Sequence, residues 1–294
     1  MNRILSILIM MFLFSCVDKP SCNFIDSYYQ DVYQAELAFY EEDYQKAYDL
    51  FKEVEARCGL LNQTLTREPE MMAKLSIKVG EPQKAFPYME RMLKEGMSFD
   101  TFKNNEIYNI LKEYEEWDYL ARNAASYEDE FNANIDQDLR AEIIAMNRLD
   151  QEVRQPPIDF IEMERVDSIH QKRIKEIFNR YGYPSAQLVG KDNFDQGERV
   201  GVKTLFFHFD DTIYFKPVLL KMIEDGEAPA DILGKMIDSR QRSRGFYDYG
   251  IYDNVDSTNI LDFKNIDKRR VAVGLAPWKL KKRVDALRRA YYGY

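Results

Sequence analysis

The chain is poor in the residues from which catalytic and metal sites are most often built. It has two histidines and three cysteines among 294 residues, so imidazole and thiolate groups are scarce. It also lacks a phosphate-binding glycine loop, a nucleophile elbow and any dense spacing of metal ligands. We therefore expect no metal and no cofactor.

A basic composition is missing as well. Asp and Glu outnumber Lys and Arg by 50 to 41, which gives a net charge of -9. Neutralising the phosphates of a nucleic acid requires a basic surface, so we expect no nucleic-acid partner. Apolar residues make up 45% of the sequence. This content is sufficient for a folded core, and the length favours two structural units.

The longest apolar run near the start is too short to cross a bilayer. It extends from Ile4 to Phe14 behind Arg3, whereas a transmembrane helix needs about 20 apolar residues. Ser15 and Cys16 follow at once. This pattern resembles a bacterial lipoprotein signal, in which the cysteine carries the lipid and becomes the first residue. An ordinary secretory signal or an incidental cysteine is the alternative.

The resemblance implies that residues 1-15 are removed and that residues 16-23 form a tether. The partner of this segment is then the membrane, through the lipid on Cys16, and the chain resides in the cell envelope. In an oxidising compartment the two remaining cysteines, Cys22 and Cys58, are a disulfide candidate. A turn of the first hairpin near residues 41-43 would place both at its open end.

Residues 24-133 have the pattern of helical hairpins. Three similar turn segments place Ala47, Ala85 and Leu120 at intervals of 38 and 35 residues, each before an apolar helical stripe. The interval is close to the tetratricopeptide period of about 34 residues, and the stretch resembles such repeats, with a degenerate third unit. The resemblance implies a surface for a protein or peptide partner. Alternatively, these helices merely support the second unit.

Residues 134-294 also predict helices, so we expect an all-α protein with a second helical unit. The first expected helix begins near Asp138 and ends before Pro156, and the next two run from Phe160 to Tyr181 and from Asp195 to Phe209. Two shorter helices are expected after prolines, Val218 to Ile223 after Pro217 and Ala230 to Ile237 after Pro229. The last expected helix begins after Pro277. Residues 245-265, rich in Gly, Tyr, Asp and Asn, predict an irregular loop.

The two histidines differ in their predicted surroundings. His208 would lie in the last turn of the helix ending at Phe209, beside Asp210. His170 shares the apolar side of its helix, and we predict a boundary residue without a set of polar partners.

Several short motifs in residues 139 to 275 occur in an order that resembles a bacterial family of unassigned function. They are Asp150-Gln151 with Arg154, Asp167, Gly182 with Pro184, Gly190, His208 with Asp210, Tyr249-Gly250, Asp267 with Arg269-Arg270, and Gly274-Leu275. The chain departs from the family at Tyr183, where Trp is usual, and at Ser239, which separates Asp238 from Arg240. The resemblance implies a shared polar site and no particular reaction.

The candidate site therefore consists of polar residues of the second unit. They are Asp150, Gln151, Arg154, His208, Asp210, Asp238, Arg240, Tyr249, Asp267, Arg269 and Arg270. His208 with Asp210 or Asp238 would form a base and its orienting acid, and an arginine would hold an anion. A buried ion-pair network is the alternative role. We expect most of these side chains to line one cleft, with His208 near its floor.

Two functions remain open from the sequence. The leading one is a membrane-anchored scaffold for binding or assembly in the envelope. The alternative is a hydrolase-like enzyme that uses His208 and its acidic neighbours.

The lipid anchor can be tested at Cys16. Cys16→Ala should release the exported protein from the membrane fraction, because the variant has no thiol to acylate. Unchanged membrane fractionation at normal expression would rule out the anchor.

Overall fold

The computed structural model describes residues 22-61 and 67-293, with the backbone alone at residue 243. Helices form the architecture of these ranges, and the β-structure within them consists of two isolated bridges, without a strand. The all-α prediction is confirmed. Cys16 and residues 1-15 lie outside the described residues. None of the described helices is long and apolar enough to cross a bilayer.

The described residues up to Lys94 form five α-helices. They are α1 (Phe24–Ser27), α2 (Tyr29–Tyr40), α3 (Tyr44–Cys58), α4 (Arg67–Lys78) and α5 (Ala85–Lys94). Helix α3 begins where the Asp43 carboxylate accepts a hydrogen bond from the Lys46 amide. Ala47 has no exposed surface, and α2 packs against α3. A small residue at this position lets the two helices approach closely.

The next unit is less regular. It contains α6 (Asp100–Lys103), a 3-10 helix (Glu106–Glu113) and α7 (Glu115–Ala133). Leu120 is buried on α7, whereas the preceding helix is of the tighter 3-10 type. The third hairpin therefore lacks a regular first α-helix.

The second half contains seven α-helices within the described residues. They are α8 (Gln137–Glu152), α9 (Phe160–Tyr181), α10 (Ala186–Val189), α11 (Thr212–Glu224), α12 (Asp231–Gln241), α13 (Ile266–Val271) and α14 (Trp278–Tyr292). The bounds of α9 match the prediction, and Gly182 caps this helix with φ 74°. A positive φ is accessible to glycine without a steric cost, so the helix ends there.

One predicted helix and the start of another were wrong. The segment from Asp195 to Phe209 is not one helix, but two 3-10 helices (Phe194–Gln196 and Val202–Phe207) separated by residues 197-201. Gly197 adopts a left-handed conformation there, with φ 71°, which ends the first 3-10 helix. His208 is accordingly the C-cap of a 3-10 helix and not part of an α-helix.

Pro217 does not begin a helix either. It lies inside α11, which starts at Thr212 because the Asp211 carboxylate accepts a hydrogen bond from the Tyr214 amide. The cap therefore determines this boundary, and the helix tolerates the missing N–H of the proline. After Pro229, α12 begins at Asp231 and continues to Gln241, four residues beyond the predicted end.

The loop from residue 245 to 265 is irregular, as predicted. It contains two 3-10 turns (Ser257–Asn259 and Phe263–Asn265), and Tyr247 forms an isolated bridge with Ile260.

One hydrophobic core joins the first hairpin to the C-terminal unit. It contains residues of α2 and α3, such as Val32 and Phe51, together with Ile174, Phe206 and Leu233 from the second half. A separate core packs α5 and α7 around Met89, Met92 and Trp117. The first hairpin thus shares its buried surface with the helices that carry the predicted site.

A disulfide links Cys22 to Cys58, with the two Cα atoms 5.4 Å apart. Cys22 precedes α1, and Cys58 is the last residue of α3. The turn of the hairpin lies at residues 41-43, so both cysteines are at its open end.

Reduction of this disulfide should lower the free energy of unfolding. It closes a loop with a sequence separation of 36 residues, for which the chain-entropy model gives about 4 kcal/mol. Urea denaturation with and without a phosphine reductant measures the difference. A Cys22→Ser, Cys58→Ser double variant is the control, since its stability should not respond to the reductant. Alkylation of both thiols in the unreduced exported protein would contradict the pairing.

Candidate functional site

Asp150 is the centre of the first group of predicted site residues. It lies in the last turns of α8 with 1% of its surface exposed. Arg154, one helical turn later, places its Nη1 3.0 Å from Asp150 Oδ1 and its Nη2 2.6 Å from Asp167 Oδ1 on α9. The Gln151 side chain donates to Asp150 Oδ2. Arg154 lies in the turn after α8, four residues beyond Asp150, and this spacing together with the packing of α9 creates a two-carboxylate site around one guanidinium.

His208 borders this ion pair. Its Nε2 is 3.8 Å from Asp150 Oδ1, and 29% of the side chain is exposed. Burial lowers the pKa of His208, and the Asp150 carboxylate only partly opposes this effect. The ring is therefore neutral at pH 7 and able to accept a proton.

His170 is buried beside this group and is not the boundary residue that the sequence predicted. It is 3% exposed on α9, and its Nδ1 is buried without a hydrogen-bond partner among the described residues. Burial lowers its pKa, whereas the nearby carboxylates of Asp150 and Asp167 act in the opposite direction. The spacing of Asp167 and His170 on one helix face was the available signal. The six residues Asp150, Gln151, Arg154, Asp167, His170 and His208 are called the Asp150 cluster below.

The Arg240 side chain contacts the backbone of Asp210 near this cluster. The amides of Asp210 and Asp211 both donate to Gln171 Oε1, at 2.8 and 3.0 Å. Arg240 Nη1 donates to the Asp210 carbonyl at 2.6 Å. The Asp210 side chain is exposed. The expected pairing of its carboxylate with His208 is therefore not among the contacts of the described structure.

Asp238 has a structural role, which its hydrogen bonds show. It is fully buried on α12, and its carboxylate accepts hydrogen bonds from the amides of Asp248, Tyr249 and Ile251 at 2.8 to 2.9 Å. Burial raises the pKa of Asp238, and the three backbone donors counteract this. The side chain thus fixes the start of the irregular loop on α12.

The adjacent arginines bind the same loop. Arg269 donates to the carbonyls of Asp248, Leu261 and Asp262. Arg270, 1% exposed, donates to the carbonyls of Tyr249 and Ala276.

Asp267 and Gly250 complete this second group. Asp267 Oδ1 accepts from the Trp278 amide at 2.6 Å, at the start of α14. Gly250 has φ 59°, and a Cβ there would lie 2.3 Å from the Trp278 ring. Packing thus explains the glycine of the Tyr249-Gly250 motif, since only glycine fits beside this ring.

The contacts divide the predicted residues into two groups. Asp150, Gln151, Arg154 and His208 converge, as expected, whereas Asp238, Tyr249, Asp267, Arg269 and Arg270 hold the loop between α12 and α14. Each group is held together by its own contacts. We therefore assign the second group to the loop and not to the surroundings of His208.

A cavity of about 340 Å³ lies between the two halves of the chain. Its walls come from α2, the start of α4, α12, the segment after α13, and α14, and its polar lining includes Tyr33, Glu36, Arg67 and Asp231. Val32, Ile251 and Leu275 supply apolar surface. Of the predicted site residues, Arg270 alone lines this cavity. Sequence motifs missed it because its walls come from segments that are distant in the chain, from Tyr29 to Arg288.

Most of the charges around the cavity are paired. Arg67 lies 2.8 Å from Glu36, and Lys203 and Lys235 lie 2.6 and 2.8 Å from Asp231. On α14, Asp285 pairs with Lys281 and Arg288. Glu68 also lines the cavity, and burial raises its pKa.

The depressed pKa values of the two histidines predict a pH-dependent stability. Unfolded histidine titrates near pH 6.5, and the native rings titrate lower, so the unfolded state binds more protons as the pH falls. Their contribution should be complete above about pH 6.5 and should decline below it. His170→Gln should flatten the curve of unfolding free energy between about pH 5 and 6.5, and His208→Gln should flatten it less, because that ring is more exposed. Urea denaturation across this range is the measurement. A His170→Gln curve parallel to wild type would show an unperturbed imidazole.

Comparison of the chain with protein-family models, curated proteins and solved structures gave no match. The resemblances noted in the sequence therefore stay predictions. Contacts, burial and charge in this chain are the basis for the function considered next.

Proposed function

We propose that the protein is a lipid-anchored binding protein of the cell envelope, whose ligand site is the cavity between the first hairpin and the C-terminal unit. The observation that carries this proposal is the cavity itself. Its volume of about 340 Å³ is at the lower end of the range typical of small-molecule sites. The ligand is thus a small molecule, or one end of a peptide.

Preorganisation of the walls supports a binding role. The Tyr33 hydroxyl on α2 donates to the Gly274 carbonyl at 2.9 Å, and Gln30 donates to the Leu275 carbonyl at 3.2 Å. These bonds join the hairpin to the segment that follows α13. A site built between two units with one core needs little ordering when a ligand binds.

The contacts of His208 favour binding over hydrolysis. The ring has no hydrogen bond to any residue in the described ranges, and its nearest carboxylate, Asp150, is already engaged by Arg154 and Gln151. A hydrolase that uses a protein nucleophile would place a hydroxyl or thiol within hydrogen-bond reach of its base. We therefore assign the Asp150 cluster to packing of α8 against α9.

The proposed location has independent support from the cysteines. A disulfide between Cys22 and Cys58 suits an oxidising compartment. With the lipid on Cys16, the tether would be only a few residues long before α1 begins at Phe24. The binding unit would then be held close to the membrane surface.

The binding role can be tested by thermal denaturation with defined compounds. A panel of short carboxylates, alkyl phosphates and dipeptides is added to the mature protein without its lipid. A compound present at about a hundred times its Kd should stabilise the native state by about 2.7 kcal/mol and raise Tm by about 5 °C. Failure of every compound to raise Tm would contradict the proposal.

A matched pair of alanine variants locates the site. Ala276 is 5% exposed and lines the cavity, whereas Ala272, four residues earlier, is exposed outside it. Ala276→Met should abolish the ligand-dependent rise in Tm by filling the cavity, and Ala272→Met should retain it. Equal responses in the two variants would place the ligand elsewhere.

A further inference from the structure

Arg270 is the most deeply buried cation of the described structure. It lies on α13 with 1% of its surface exposed, and it lines the cavity. Burial lowers its pKa, yet a guanidinium remains protonated in proteins. A buried charge is costly unless it is paired and hydrogen-bonded. The partners of Arg270 therefore decide whether this charge is already compensated.

Those partners are neutral. Nε donates to the Ala276 carbonyl and Nη1 to the Tyr249 carbonyl, and the guanidinium carbon lies 5.8 Å from the centroid of the Trp278 ring. No carboxylate of the described residues is within 4 Å of it. A guanidinium has five N–H donors, so Nη2 and the second N–H of Nη1 are left without a described acceptor.

Arg270 differs in this respect from the other cations that line the cavity. Arg67, Lys203, Lys235, Lys281 and Arg288 each have a carboxylate partner among the described residues. Their partners Glu36, Asp231 and Asp285 are consequently engaged already. The carboxylates of Asp238, Asp267 and Asp285 act on Arg270 only from beyond ion-pair distance. The cavity therefore offers one buried positive charge that has no carboxylate within 4 Å among the described residues.

We propose that the cavity holds its ligand through a carboxylate or phosphate group paired with Arg270. This inference rests on the proposed binding function and adds the chemistry of the ligand. Both anions match the planar donor fork of arginine. The ligand also has an apolar part, since Val32, Ile251 and Leu275 line the same space. The ligand class is thus a small amphiphile with one anionic end.

The pairing would be strong because the Arg270 guanidinium is itself buried, with 1% of the residue exposed. Ion pairs in a low dielectric gain more than exposed ones, provided that the partner charge is already buried. Arg270 meets this condition because its guanidinium is held in place by two carbonyls before any ligand arrives. The ligand supplies the counter-charge and bears most of the desolvation.

Three probes of equal chain length separate the charge from the apolar contact. Hexanoate, hexyl phosphate and hexanol are titrated into the mature unlipidated protein by calorimetry at pH 7. The two anions should bind at least ten times more tightly than the alcohol. The tighter of the two anions identifies the head group as carboxylate or phosphate.

Trp278 provides a readout in the unaltered protein. Its ring lies beside Arg270, and the second of the two tryptophans, Trp117, lies in the separate core. The anions should move the indole NMR signal of Trp278 and leave that of Trp117 in place. Trp117→Phe assigns the two signals. An anion that binds without moving the Trp278 signal would overturn the assignment to Arg270.

Arginine variants test the donor fork. Arg270→Lys keeps the charge but loses the fork, and should weaken binding of the anions about tenfold. Arg269→Lys is the matched control, because Arg269 holds the same loop from outside the lining and should leave affinity unchanged. If Arg270→Lys does not fold, the comparison of anions with hexanol and the Trp278 signal still decide the matter.

The outcomes separate this inference from the function on which it rests. Equal affinity for hexanol and the anions, with binding retained in Arg270→Lys, would overturn the anionic ligand and leave the binding function standing. Absence of binding by all three probes and by the wider panel would overturn both. Tight anion binding that Ala276→Met abolishes would support both.

Discussion

Helix α2 has to satisfy both halves of the molecule at once. Its Val32 and Phe39 side chains are buried in the shared core, and its Tyr33 hydroxyl donates to the carbonyl of Gly274. A buried hydroxyl without an acceptor costs about 1 to 3 kcal/mol, so this contact restricts how the C-terminal unit can dock. The opposite wall of the cavity is built from that unit. The cavity therefore exists only when α2 is packed against both halves of the molecule.

Local sequence patterns predicted the elements that are determined locally. The Phe160–Tyr181 helix follows from its apolar spacing and from Gly182, and the first hairpin follows from the turn near Asp43. Residues 195-209 were wrongly predicted as one helix, because apolar spacing alone did not show that Gly197 ends the first 3-10 helix. There the chain is determined by distant contacts, such as the bond from the Val200 amide to Asp192 and the burial of Phe206.

The candidate site was predictable only in part, for a related reason. Asp150 on α8 and Arg154 just after its end are four residues apart, so their pairing could be anticipated from spacing. The sequence does not show whether an aspartate such as Asp238 is catalytic or structural. In the structure its carboxylate binds three backbone amides of the loop. The cavity has no sequence motif at all. Its walls meet only through the tertiary packing of α2, α12 and α14.

Arg154 and Arg270 show why the ligand site and the histidines are separate. Arg154 is shared by two carboxylates, so the Asp150 cluster has an excess of negative charge when its imidazoles are neutral. Desolvation nevertheless keeps the pKa values of both histidines low, so the imidazoles do not supply the missing positive charge at pH 7. An anion is therefore repelled from that cluster. At Arg270 the charge is of the opposite sign, because a desolvated cation is hydrogen-bonded to neutral carbonyls. An anionic ligand would therefore be stabilised there.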